Sequence, residues 1–172
     1  LGPSARAQVS ITTLGIPYTQ DFNTLATSGT SGTLPTGWVF YENSVAGVSY
    51  TANDGALTTG DTYSYGTTGA ADRALGSLQS GSVIPIFGAQ FKNNTGSAIT
   101  SLTISYVGEQ WRLGTVSRED RLDFSYSLDA TSVLTSTFTW TPVAGLTFVA
   151  PTTTPVGALN GNAAANRTSK SS

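Results

Sequence analysis

Along this chain hydrophobic residues alternate with polar ones over short stretches, and nowhere do they recur at the three- and four-residue spacing of an amphipathic helix. The clearest run is 121–128. Leu122, Phe124, Tyr126 and Leu128 alternate with Asp123, Ser125 and Ser127, which predicts a half-buried antiparallel strand with the four large residues facing the core. Leu102, Ile104 and Tyr106 alternate in the same way with Thr103 and Ser105. That alternation shifts phase at Gly108, leaving Trp111 and Leu113 as the large apolar positions, and a one-residue slip at a glycine predicts a β-bulge.

Shorter strands are predicted at Trp38 to Tyr41, at Val48 and Tyr50, at Leu57, and at Tyr63 and Tyr65. More follow at 83–91, at Phe138 and Trp140, and at Leu146 and Phe148. Pro85 pushes the 83–91 strand toward an edge or a bulge, because proline cannot donate to the ladder. Between the strands lie turn sequences: the Gly/Ser/Thr loop 26–37, Asn53-Asp54-Gly55 as a hairpin signal, Lys92 to Gly96, and Asp129 to Ser132. Val9, Ile11 and then Leu14 form an isolated alternation ahead of the main body.

After Phe148 the pattern fails, in a stretch with Pro151, Pro155 and Asn160-Gly161 and little apolar content. The expected fold is therefore all-β: an antiparallel two-sheet sandwich, jelly-roll-like, whose last strands lie outside the sequence or come from a neighbour. Three segments follow from this reading. Residues 1–14 are an N-terminal extended segment or a processed leader remnant, residues 15–150 the sandwich, and residues 151–172 a Pro/Thr/Ser/Asn-rich tail.

Composition agrees with the all-β class and narrows the chemistry. Thr and Ser make up 49 of the 172 residues and Gly another 19, which suits strand faces and turns. Eight basic and ten acidic side chains leave a net charge of −2, so there is no basic stripe for nucleic acid or an anionic membrane, and no apolar run is long enough to span a bilayer. Cys is absent, which excludes a disulfide framework. His is absent too, removing the commonest general base and transition-metal ligand. Ala5-Arg6-Ala7 has the small-x-small form of a signal-peptidase site and points to an extracellular or cell-surface protein.

Three stretches carry a family resemblance: DRALGSLQSGS (72–82), residues 87–114 with the NNTG turn and GEQWR, and DRLDFSYSLDATS (120–132). They resemble a family of secreted bacterial jelly-roll-like β-sandwich domains found on surface or multidomain extracellular proteins. The resemblance covers about residues 18–168. It implies a fold and an extracellular place, but no shared activity. GALNGNAAANRT (157–168) resembles the point at which such domains enter their final strands.

The candidate sites each have a plain structural alternative. Glu109, Trp111 and Arg112 could form a sugar-stacking platform with flanking hydrogen-bond groups; a tryptophan beside a phase change more often packs in the core, with Arg112 paired to a carboxylate to pin the bulge. Asp54 and Asp61 sit in Gly-rich turns and are weak calcium ligands, without the spacing of a calcium loop, and no other cofactor is expected. Asn93 and Asn166 match the glycosylation triplet, Asn166 in the more exposed-looking setting. No pair of carboxylates is singled out for hydrolysis, so no catalytic residue is assigned and the chain is not read as an enzyme.

The expected function is that of a non-catalytic structural module, a subunit of a cell-surface filament, matrix or adhesin that self-associates. Val9, Ile11 and Leu14 would be the assembly interface if residues 8–14 are donated to a neighbour's sheet; the alternative is that they pair within their own domain. The competing function is carbohydrate binding.

Overall fold

The computed structural model describes residues 7–134 and 137–172. Ala5 and Arg6 of the expected processing site lie outside them. The all-β class holds: among the described residues helix is confined to two short 3-10 turns, Ala144–Leu146 and Ala164–Asn166. The strands fall into several small sheets of sandwich type, and two of the strand pairings are parallel.

The centre is a four-stranded sheet in the order Thr30–Ser31, Tyr50–Asn53, Asp61–Tyr65, Ala74–Leu78. Alternation sends its side chains to two different cores. Tyr50 and Leu75 join Leu25 and Phe40 on one face, while Tyr63 and Tyr65 join Trp111 on the other. Residues 62–65 are all buried, so this strand is covered on both faces. The hairpin predicted from Asn53-Asp54-Gly55 does not form. Asn53 Oδ1 accepts from the N–H groups of Gly55 (2.9 Å) and Leu57 (3.2 Å), and Gly55 takes φ +93, so the loop doubles back and the strands on either side run parallel.

On the Phe40 side lies a three-stranded sheet of Val45–Ala46, Trp38–Glu42 and Pro85–Ala89. The N-terminal strand Val9–Ile11 extends it, running parallel to Phe91–Asn93, with the Val9 N–H donating to the Gln90 carbonyl at 2.8 Å. Val9 is buried against Gly37. This corrects the assembly interface expected at Val9, Ile11 and Leu14: the first two are engaged within their own chain, and Leu14 is exposed beyond the strand.

The rest of the molecule is one long antiparallel ribbon. Ser105–Glu109 pairs with Arg167–Ser171, Arg112–Leu113 with Gly157–Ala158, Arg121–Leu122 with Phe148–Val149, and Ser125–Tyr126 with Thr141–Pro142. The arms match residue for residue between Leu113 and Arg121. Outside that stretch the return arm makes two excursions, residues 159–166 opposite Gln110 and Trp111, and residues 143–147 opposite Asp123 and Phe124. Each excursion contains one of the 3-10 turns.

Residues 151–172, expected as a tail, thus form most of the return arm. They escape the hydrophobic pattern because Arg167–Ser171 presents only Thr168 and Lys170 to its half-buried face. The expected bulge at Gly108 is also displaced. Gly108 pairs regularly with Thr168, and the ladder breaks at Gln110 and Trp111. Gly108 is required for another reason, since a Cβ there would sit 2.2 Å from the Phe148 ring.

The alternating set at 122–128 faces the expected way only in part. Phe124 stacks on Tyr106 with ring centroids 6.4 Å apart, and Asp123 is exposed as predicted. Leu122 and Tyr126 nevertheless stay exposed, and Leu128 is 95 % exposed. The facing layer reaches Phe124 but does not extend over its neighbours.

Close approach at Gly108 gives the first testable consequence. Gly108→Ala should lower stability by about 1–3 kcal/mol in urea denaturation, as overpacking does. Gly81→Ala, with no atom within 4 Å of its added Cβ, should leave stability nearly unchanged.

Candidate functional site

The sequence places its strongest candidate at Glu109, Trp111 and Arg112, and the fold does bring these three together. Trp111 sits at the break between Ser105–Glu109 and Arg112–Leu113, where the strand turns its side chain toward the central sheet. It is 4 % exposed and stacks on Tyr65 at 6.2 Å with the rings 9° from parallel. The backbone of Gly161 lies close against the indole; a Cβ there would lie 2.3 Å from the indole nitrogen.

Burying the indole N–H requires an acceptor. Glu109 Oε2 provides it at 2.9 Å, and Glu109 Oε1 is held by the Arg167 guanidinium at 3.0 Å. Burial pushes the Glu109 carboxyl above its ordinary value, against the lowering effects of Trp111 and Arg167. Arg112 turns the opposite way and donates from one guanidinium nitrogen to the carbonyls of Gly55 (2.9 Å) and Ala56 (3.3 Å). A sugar ring has no access to Trp111. The platform expected at these residues is a packing knot: Trp111 packs as the alternative has it, whereas Arg112 meets two backbone carbonyls instead of the expected carboxylate.

The other candidates resolve similarly. Asn166, expected exposed, is buried: its Nδ2 donates to the Asn160 carbonyl at 2.9 Å and its Oδ1 accepts from the Thr152 hydroxyl at 2.7 Å. No glycan fits there. Asn93 is exposed, but its amide is tied into its own turn, donating to the Ser97 carbonyl at 2.8 Å and accepting from the Thr95 amide and hydroxyl. Asp54 and Asp61 do not meet. The parallel register of Tyr50–Asn53 with Asp61–Tyr65 puts them at opposite ends of the strand pair.

Asp54 accepts from the Thr68 hydroxyl and the Ala56 N–H, which together hold its carboxyl below the ordinary value. Asp61 lies beside Glu42, where both carboxylates accept from the Thr62 N–H, at 2.9 and 2.8 Å. Among the described residues no group of three or more acidic ligands could hold a metal ion. Asp120, in the charge-rich segment, is a surface partner of Arg118 at 2.6 Å.

The structure adds a surface that the alternation pattern does not show. Phe22 meets Trp38 edge to face at 4.6 Å, the Trp38 indole N–H donates to the Tyr18 hydroxyl at 3.2 Å, and Tyr18 meets Phe91 edge to face at 5.5 Å. The row runs outward from the Phe40 core to rings that are 40 % (Tyr18) and 46 % (Phe91) exposed, with Leu14 and Ile16 exposed on the same N-terminal segment. Tyr18 and Gln20 share a hydrogen bond of 2.9 Å beside these rings. Segment 12–29 contains no strand, so Tyr18 belongs to no ladder. The only sequence signal is the density of large apolar residues around Pro17.

The packing role of Trp111 is testable. Trp111→Ala should cost about 3–5 kcal/mol, as for other large core truncations. Trp140→Ala, at a half-exposed position, should cost clearly less in the same chemical denaturation series.

No helix of the described residues is long and apolar enough to cross a membrane. Compared with known proteins, the chain matches no family model, no curated protein and no solved structure.

Proposed function

We propose that this chain is a non-catalytic extracellular β-sandwich module that acts through surface contact, as a building unit of a cell-surface assembly. The observation that carries the reading is the outward end of the aromatic row at Tyr18 and Phe91, flanked by Leu14 and Ile16. Apolar surface gathered in one place, rather than scattered, is what a contact surface requires. The low charge of the chain leaves that surface free of strong like-charge repulsion between copies. Strand donation by residues 8–14 is no longer needed for this reading, since that strand has a partner in its own sheet. The extracellular placement rests on the family resemblance and on the signal-peptidase form of Ala5-Arg6-Ala7 in the sequence.

A second reading, carbohydrate binding, is favoured by the same place for a different reason. Tyr18 and Phe91 offer two partly exposed rings, packed edge to face, with the Tyr18 hydroxyl and Gln20 alongside, so that aromatic surface lies next to hydrogen-bond groups as sugar binding requires. It replaces the buried Trp111 as the candidate platform.

The double variant Tyr18→Ser/Phe91→Ser separates the two. Sedimentation over a concentration series is expected to show reversible association of the natural sequence and a monomeric variant with its melting temperature kept. A natural sequence that stays monomeric at high concentration sinks the assembly reading. Glycan-array binding by that monomer, lost in the variant, would establish the second reading instead.

A further inference from the structure

The seam between the three-stranded and four-stranded sheets contains a pair of carboxylates from different sheets. Glu42 ends the strand Trp38–Glu42, and Asp61 begins the strand Asp61–Tyr65. Both converge on one donor, the backbone N–H of the fully buried Thr62, with Glu42 Oε1 at 2.8 Å and Asp61 Oδ1 at 2.9 Å. Glu42 Oε1 also accepts from the Thr62 hydroxyl at 2.8 Å, whereas Asp61 Oδ2 has only a long 3.4 Å contact from the Thr51 hydroxyl.

The groups around the pair bring no positive charge. Thr51 faces it from Tyr50–Asn53, and Leu78 stands opposite Asp61 on Ala74–Leu78. Val45 and Pro85 flank Glu42 on its two sides. The phenols of Tyr63 and Tyr65 lie close enough to feel the negative charge of Asp61. The ion pairs among the described residues use Asp120, Asp123 and Glu109, and none reaches this place.

Two anions sharing one donor repel, and the inexpensive arrangement is one proton held between them. We propose that Glu42 and Asp61 form a proton-sharing latch between the two sheets, closed in acid and weakened as the pair becomes doubly ionised. The sign follows from Asp61. Burial, and next its contact with Glu42, push its carboxyl above the ordinary value. A carboxyl raised on folding contributes stability that is fully present below its unfolded value, near 3.8, and that is lost as pH rises through the folded value. The seam is therefore tightest under acidic conditions and loosens toward neutrality.

The test is a set of chemical denaturation curves from acid to neutral pH for the natural chain, Asp61→Asn and Glu42→Gln, with carboxyl-carbon NMR titration of the natural chain. The uncharged amides remove the shared proton while keeping the side-chain size. About tenfold in the unfolding constant is expected between acid and neutral pH for each unit by which Asp61 is raised. Both variants should flatten that dependence, and hydrogen exchange of the Thr62 amide should quicken with pH, beyond the intrinsic rate, only in the natural chain. An Asp61 carboxyl titrating at or below its ordinary value would overturn the latch, as would variants that keep the full slope. Glu109→Gln serves as the comparison: Glu109 is also raised, so its loss should remove its own share of the slope while leaving the pH dependence of the Thr62 amide exchange as in the natural chain.

Discussion

The indole N–H of Trp111 is buried at the break between Ser105–Glu109 and Arg112–Leu113, and the arrangement of the molecule's second half follows from giving it an acceptor. A buried donor left unpaired costs about 1–3 kcal/mol, comparable to a sizeable part of a domain's net stability. Glu109, two residues earlier, reaches back to accept from it. A carboxylate in that position would itself be a buried charge, and Arg167 balances it from the return arm of the ribbon. One tryptophan therefore fixes the local register of two strands. It also explains the excursion of residues 159–166, which places Gly161 on the indole and brings the chain back in time to pair Arg167 with Glu109.

The same demand for satisfaction shapes the central sheet. Its strand Asp61–Tyr65 is buried on both faces, although it alternates aromatic with small polar residues as a half-exposed strand would. The polar face is tolerable because each group has a partner. The Ser64 hydroxyl donates to the Ala26 carbonyl at 2.8 Å and accepts from Arg73 Nε at 2.9 Å, while the Thr62 hydroxyl is taken by Glu42. Arg73 is itself buried and has no carboxylate in contact; its guanidinium is spent on the Ser64 hydroxyl and on the carbonyls of Ser64 and Thr67. These bonds staple the loop after Tyr65 to the neighbouring strand. Most of the order on this face comes from side chains acting on backbone groups, which a hydrophobic pattern cannot register.

That distinction decides how much of the molecule the sequence reveals. The all-β class was legible because strand alternation and the shortage of helix formers are properties of the chain alone. The run at 121–128 gave the direction of Phe124 correctly. It could not give the exposure of Leu122, Tyr126 and Leu128, since alternation assigns a side and says nothing about how far the opposing layer extends. Residues 151–172 read as a tail because a strand whose inner positions are Thr168 and Lys170 has no apolar period. The site residues fared differently. Glu109, Trp111 and Arg112 were rightly seen as a group, yet whether the ring faces solvent depends on Tyr65 and Gly161, distant in sequence. Tyr18 and Phe91 escaped notice because their contact exists only once the N-terminal segment lies along the sheet that Val9–Ile11 extends.

The two cores have different chemical characters, and the difference bears on where the module can respond to its surroundings. The core around Leu25, Phe40, Tyr50 and Leu75 includes aliphatic side chains and reaches the surface through Trp38 and Tyr18. The core around Tyr63, Tyr65 and Trp111 is aromatic, and its rim is bonded to backbone through Arg112. In the second core the titratable groups are locked: burial drives the Tyr65 phenol far above its ordinary value, and Glu109 is held between a donor and a cation. At the seam beside the first core, Glu42 and Asp61 face each other across two sheets with a single amide between them. Charge added at the second core meets a ready counter-charge, whereas charge added at the seam meets only another carboxylate. The softer boundary of the fold is therefore the one that joins the three-stranded sheet, and with it the exposed rings of Tyr18 and Phe91, to the rest of the molecule.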